Sequence, residues 1–92
     1  MNPTTISLAG SVDIMTLLPI LNSALNHARR AGSGYRLELD CRTVDDFTSL
    51  ALAQIVQAKG DLRRHGGEIA LTCCSDRIRS RMIHPLFEQL CT

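Results

Sequence analysis

Residues Val44 to Gly67, VDDFTSLALAQIVQAKGDLRRHGG, read as a strand exit, a polar turn, a long helix and a glycine stop. The preceding Leu37 to Cys41 delivers the chain into the turn at Arg42 to Asp46. Phe47 is followed by Thr48 and Ser49, and either hydroxyl can cap a helix by accepting a backbone N–H. Ala51, Ile55, Ala58 and Leu62 then fall on one stripe, widened by Leu52 and Val56. Gln54, Gln57, Asp61 and Arg64 lie opposite, so this helix is amphipathic and covers a core. Gly66-Gly67 ends it, as glycine commonly does past a helix C-terminus.

Composition narrows the function classes. The 92 residues make one domain, 1–92, and 45% hydrophobic with 21% charged residues is ordinary for a soluble globular chain. A net charge of +1 gives no global attraction to nucleic acid or an acidic membrane. Tyr35, Phe47 and Phe87 are the only aromatics, too few for a base-stacking platform. No apolar run spans a bilayer and no signal peptide opens the chain, so the expected setting is cytoplasmic, with reduced cysteines and no membrane insertion.

Working outward, Thr4 to Ala9 reads as a short strand and Gly10 to Asp13 as its tight exit. Thr16 can cap a helix from about Leu17 to Ala31, with Pro19 in its first turn. Its buried stripe is Leu17, Leu21, Ala24 and Ala28, and Gly32 stops it. Tyr35 to Cys41 alternates strictly, with Tyr35, Leu37, Leu39 and Cys41 against Arg36, Glu38 and Asp40. A parallel strand covered on both faces would be apolar throughout, so this one predicts helices largely on one face and a wetter face opposite. Glu68 to Thr72 reads as a third strand. Ser75 caps a helix from Asp76 to about Ile83 that buries Ile78 and Met82, and Leu86 to Leu90 closes the chain as a short helix or edge strand. The order β-α-β-α-β-α with right-handed crossovers predicts a small α/β domain with a mainly parallel sheet.

Few residues carry chemistry. Asp13, Asp45 and Asp46 fall at strand exits, which gather at one edge of a parallel sheet; they form an acidic rim or are solvated turn carboxylates. Cys41 and Cys73-Cys74 are also at strand exits, but adjacent cysteines lack the two-residue spacer of metal and thioredoxin-type motifs. His27, His65 and His84 are scattered, so no metal site is expected. Arg77, Arg79 and Arg81, with Arg63 and Arg64, read as a solvated, partner-facing basic surface, since nucleic-acid binding wants more basic excess and interleaved aromatics. Gly32-Ser33-Gly34 is half a dinucleotide fingerprint, with Leu37 where the third glycine belongs. No P-loop and no nucleophile-elbow triad is recognisable, so neither a cofactor nor a catalytic constellation is expected.

Taken together, several short motifs give the chain a family likeness. Gly10-Ser-Val-Asp13 ahead of the first helix, Leu37-Glu-Leu-Asp40, the helix opening at Thr48-Ser49, Gly66-Gly67-Glu68 and the Ser75 helix start resemble a STAS domain. That fold is shared by bacterial anti-sigma-factor antagonists and the cytoplasmic tails of sulfate transporters. In the antagonists an Asp-Ser-Ser-Gly-like sequence opens the central helix and its first Ser is phosphorylated by a partner kinase. The resemblance puts that position on Ser49, with Thr48, Leu50 and Ala51 standing where the motif has Asp, Ser and Gly. The aspartate matching Asp13 lies near the switch in family members. The chain is also similar to the STAS subunit of bacterial lipid-asymmetry ABC transporters, through Leu17-Leu18-Pro19. There the corresponding helix start docks onto an ATPase subunit.

For Ser49 the plain reading is a cap worth about 1 kcal/mol. The functional reading is a switch, because phosphate adds nearly two negative charges at a site of positive dipole potential and would act by repelling a partner. The resemblance therefore implies a non-enzymatic signalling module, monomeric by itself, that binds an anti-sigma kinase-type partner and regulates transcription, with Ser49 as the phosphorylation candidate. One alternative is docking onto the ATPase of a lipid-transport ABC transporter; another, of a different class, is a thiol-dependent enzyme or redox site at Cys41 and Cys73. The contact surface is expected to comprise Asp13, Phe47, Thr48, Ser49, Leu50 and Leu52. Phe47 and Leu50 are its apolar anchors, bracketing two hydroxyls.

Overall fold

The computed structural model describes residues 4–32, 34–81 and 90. Six elements follow in order: β1 (Thr4–Val12), α1 (Ile14–Ala31), β2 (Arg36–Phe47), α2 (Ser49–Arg64), β3 (Glu68–Thr72) and α3 (Asp76–Arg81). The strands form one parallel sheet in the order β1-β2-β3. With right-handed crossovers, a sheet that grows in one direction puts both crossover helices on the same face. There α1 and α2 bury Leu17, Leu21, Ala24 and Ala28 from one helix and Ala51, Leu52, Ile55 and Leu62 from the other. They pack over Leu37, Leu39, Ile69 and Leu71, all fully buried. On the opposite face of β2, Arg36, Glu38 and Asp40 are half-buried, as the alternation predicts. Ala70, the register partner of Glu38, is buried there too, so that face is wetter at β2 than at β3.

Three boundaries differ from the sequence reading, each for a local reason. The strict alternation of β2 stops at Cys41, yet the strand runs on to Phe47. Ser7 pairs with Asp40 but Ala9 with Thr43, and Gly10 pairs with Val44 but Ser11 with Asp46. Two bulges thus add two residues to β2, and each breaks the period-two pattern that a sequence reading follows. Side-chain bonds brace the first: Asp40 accepts the Arg42 N–H at 2.9 Å, and the Thr43 hydroxyl donates to the Leu8 carbonyl at 2.9 Å.

Gly10, expected to begin a tight exit, lies inside β1 at the second irregularity. Its φ of 67° is a left-handed value that glycine adopts without a Cβ penalty. The first helix starts at Ile14 with Asp13 as its cap, not at Leu17 behind Thr16. Pro19 therefore sits a turn deeper than expected, where its missing N–H leaves out the helical bond to the Met15 carbonyl.

The closing turn of α2 uses its glycines as expected. Gly66 has φ 74° and its N–H donates to the Arg63 carbonyl at 3.0 Å, while the Gly67 N–H donates to Leu62 at 2.8 Å. A side chain at Gly67 would meet the Tyr35 carbonyl at 3.1 Å, so the chain passes too close there for any other residue without a shift. Helix α3 buries Ile78, and the Ser75 hydroxyl accepts the Ile78 N–H at 3.3 Å. The expectations for Met82 and for Leu86 to Gln89 fall outside the described residues; Leu90 is buried and its carbonyl accepts the Leu71 N–H at 2.7 Å.

Candidate functional site at the paired helix starts

The C-terminal ends of β1 and β2 place two helix starts side by side. Where β1 ends, Asp13 caps α1: its carboxylate accepts the Thr16 N–H at 2.9 Å and the Thr16 hydroxyl at 3.0 Å. Those two bonds, the backbone one foremost, hold the Asp13 carboxyl below the usual aspartate range. Where β2 ends, Thr48 caps α2, its hydroxyl accepting the Ala51 N–H at 3.2 Å. Ser49, the other candidate cap, is instead the first helical residue, with its side chain exposed.

The six residues expected to form a contact surface divide. Asp13, Thr48, Ser49 and Leu50 are exposed, Leu50 at 65%. Phe47 and Leu52 are not: they are 1% and 4% exposed and belong to the core. For Phe47 the reason is that β2 runs on through its bulges to residue 47, with the phenyl ring on the buried face. For Leu52 it is helical spacing, since Leu52 follows Thr48 by one turn and lies next to Ala51 and Ile55 on the buried stripe.

In their place stands Met15, the second residue of α1, 74% exposed and so the most exposed large apolar side chain described. It gave no signal in the sequence, because a helix beginning at Leu17 would leave it in a loop. Met15 and Leu50 thus occupy equivalent places, each the second residue of a helix that begins at the same sheet edge.

Beside them runs a polar bridge. Arg81, the last residue of α3, donates from Nη1 to Asp46 at 2.7 Å and from Nη2 to the Ser49 hydroxyl at 3.4 Å. Asp46 also accepts the Phe47 N–H at 2.8 Å. Partial desolvation pushes the Asp46 carboxyl up, but Arg81, the Phe47 N–H and the nearby Arg77 charge outweigh it and hold it below the usual range. The acidic rim is therefore one capping aspartate (Asp13), one exposed strand residue (Asp45) and one ion-paired residue (Asp46).

Cys41 and Cys73 lie in different environments. Cys41 is buried, with its Sγ 3.5 Å from the Leu39 carbonyl, whereas Cys73 is exposed and lies 3.7 Å from Arg42 Nη2. Among the described residues no group of three His, Cys, Asp or Glu side chains is placed to hold a metal. A groove of about 180 Å³ runs between α1 and α2, but its one charged lining residue, Asp61, is engaged by Arg64 at 3.7 Å. No helix among the described residues is long and apolar enough to cross a membrane.

Comparison with known proteins agrees with this architecture. A solved structure titled "Crystal Structure Analysis of Mglu" superimposes with a TM-score of 0.62 at 17% identity. It covers 83% of this chain, which itself spans 18% of that chain, and a likeness at this identity is one of fold. No curated protein matches significantly. The family model described as "Mlab, STAS domain" matches residues 1–85. Over nearly its whole length, then, the chain is a STAS domain, and it belongs to that family of regulatory and protein-interaction modules.

Proposed function

We propose that this domain docks onto an ATP-binding protein through the paired starts of α1 and α2. The observation that carries the reading is Leu50, a leucine 65% exposed on the first turn of α2 next to an exposed hydroxyl. Met15, exposed on the neighbouring helix start, widens the apolar area, and interface energy concentrates in a few such anchors ringed by polar groups. Asp13, Thr48 and Ser49 supply the polar surround.

Two partner classes fit. An anti-sigma-type serine kinase is favoured by Ser49, whose exposed hydroxyl stands at the helix start for phosphoryl transfer. In that case the module is an anti-sigma-factor antagonist and phosphate on Ser49 releases it. The ATPase of a lipid-transport ABC transporter is favoured by Leu50 itself, an apolar residue where the switch motif has a serine, which suits constitutive docking. The name Mlab on the matching family model and the Leu17-Leu18-Pro19 sequence support the same branch.

The test is affinity for the ATP-binding protein encoded beside this one, measured for the wild type and for Leu50→Asp, Met15→Asp and Ser49→Asp. Leu50→Asp is expected to weaken binding at least about tenfold, the loss of one anchor residue. Unchanged affinity in both Leu50→Asp and Met15→Asp rules this surface out. Incubation with ATP then separates the partners: a kinase labels Ser49, and a transporter ATPase leaves it unlabelled.

A further inference from the structure

Arg81, expected to belong to a solvated basic surface, instead touches the one residue of the docking surface that a kinase would modify. A single guanidinium bridges a carboxylate on β2 and a hydroxyl on α2, residues 35 and 32 positions upstream of it. The side chains of Arg81 and Asp46 are 37% and 28% exposed, so the bridge is partly sheltered from solvent. Arg77, one turn earlier on α3, adds positive charge near Asp46.

We infer that Arg81 is the domain's own receptor for a phosphate on Ser49, so that α3 reads the modification from within. This rests on the reading of Ser49 as the residue modified. In the transfer from a nucleoside triphosphate, the Ser49 Oγ bonds to the γ-phosphorus, the bond to the nucleoside diphosphate leaving group breaks and the hydroxyl proton passes to the kinase's general base. The new phosphorus is therefore attached to the oxygen that Nη2 already approaches at 3.4 Å. Phosphate brings three strong acceptor oxygens, and a guanidinium fork is built to hold them.

Without Arg81 the same phosphate would face the Asp46 carboxylate with only the Arg77 charge nearby to offset it. With it, Nη1 stays on Asp46 while Nη2 turns from a neutral hydroxyl to a dianion, and α3 is held more tightly against the start of α2. Arg81 is thus a positioning residue: it settles how much of the new charge remains visible to the partner and couples that charge to the third helix.

Phosphoserine installed at position 49 during translation tests this in the isolated domain, with neither kinase nor partner present. Phosphorus NMR follows the second ionisation of the phosphate as pH is varied. With Arg81 its midpoint is expected to fall at least about half a pH unit below that in Arg81→Gln. Arg81→Lys, which keeps the charge but not the fork, should lie between them and serves for comparison if Arg81→Gln does not fold. Equal midpoints in all folded variants overturn the inference. Because no partner takes part, this outcome is separate from the fate of the docking reading, which a binding assay alone decides.

Discussion

The backbone N–H of Thr48 donates to the carbonyl of Val12 at 3.0 Å. This single bond joins the residue that caps α2 to the last residue of β1, one position before the residue that caps α1. The backbone thus holds the two helix starts next to each other, and both first turns open at the same edge of the sheet.

Capping gives the first prediction. Thr48→Ala should cost about 1 kcal/mol of stability, and Asp13→Ala a similar amount, because each removes the oxygen that satisfies a first-turn N–H. Ser49→Ala should cost less than Thr48→Ala, since Ser49 caps nothing. Urea denaturation of the three variants checks the order, and a larger loss in Ser49→Ala would contradict the assignment of Thr48 as the cap.

The two apolar residues that flank those hydroxyls should behave oppositely. Phe47→Ala empties a fully buried site and is expected to cost about 3–5 kcal/mol. Leu50→Ala, at a position 65% exposed, should stay within about 0.5 kcal/mol of wild type. Comparable denaturation midpoints for the two variants would refute the placement of Phe47 in the core.

Acid should weaken the fold through a clip at the far end of α2. Glu68 at the start of β3 pairs with Lys59 at 3.1 Å and with Arg63 at 3.2 Å, and Lys59 is itself buried. Burial pushes the Glu68 carboxyl up, but the hydrogen bond from Lys59, the Ile69 N–H and the nearby cations outweigh it and hold it below its ordinary value of 4.5. A carboxylate with a lowered folded-state pKa contributes stability that is present above its ordinary value and lost as pH falls through the folded one. Asp13 and Asp46 act in the same direction from 3.8. Stability should therefore hold above about pH 5 and fall below about pH 4, with a shallower fall in Glu68→Gln. At neutral pH, Glu68→Gln should cost about 1–2 kcal/mol, because Lys59 loses its carboxylate.

Thiol reactivity provides an independent check on the end of β3. In a Cys91→Ser background, Cys73 should react with an aromatic disulfide reagent in the native state and Cys41 only on unfolding. Cys73 also has φ 58°, the left-handed region in which a side chain is strained. Cys73→Gly should accordingly be neutral or stabilising, by up to about 1 kcal/mol. A clear loss of stability would show that the Cys73 contact with Arg42 outweighs the strain.

Much of this was legible in the residues. Leu37, Leu39 and Cys41 alternate, the stripe from Ala51 to Leu62 repeats at helical spacing, and Gly66-Gly67 marks the stop, so the order of elements and the parallel sheet followed. Hidden features were those whose partners lie far along the chain. Bulges in β2 exist only against β1, and the strand that carries them runs on to Phe47, an expected surface residue that is core. Burial of Lys59 depends on Glu68, and the stem of a lysine can pack while its ammonium finds a carboxylate. Arg81 meets Asp46 and Ser49 only because α3 folds back beside β2 after the third strand. Of the proposed docking surface, Leu50 and Ser49 were visible because they stand at a helix start, whereas Met15 required the true beginning of α1.

The bulges also bear on how the molecule tolerates insertion and deletion. Nine residues of β1 run beside eleven of β2, from Thr4 opposite Leu37 to Val12 opposite Phe47. At each bulge two residues of β2 oppose one of β1, so the surplus is absorbed within the ladder and Phe47 stays opposite Val12, both on the buried face. Removing the extra residue of a bulge would restore regular pairing there and leave Phe47 opposite Val12, with the core intact. Removing a residue outside the bulges would instead shift the register and turn every side chain beyond it to the other face. What a lost bulge would change is the local bend and twist of β2, and with it the angle at which α2 leaves the sheet beside α1. Length variants of β2 thus offer a way to separate the integrity of the domain from the shape of the face it presents.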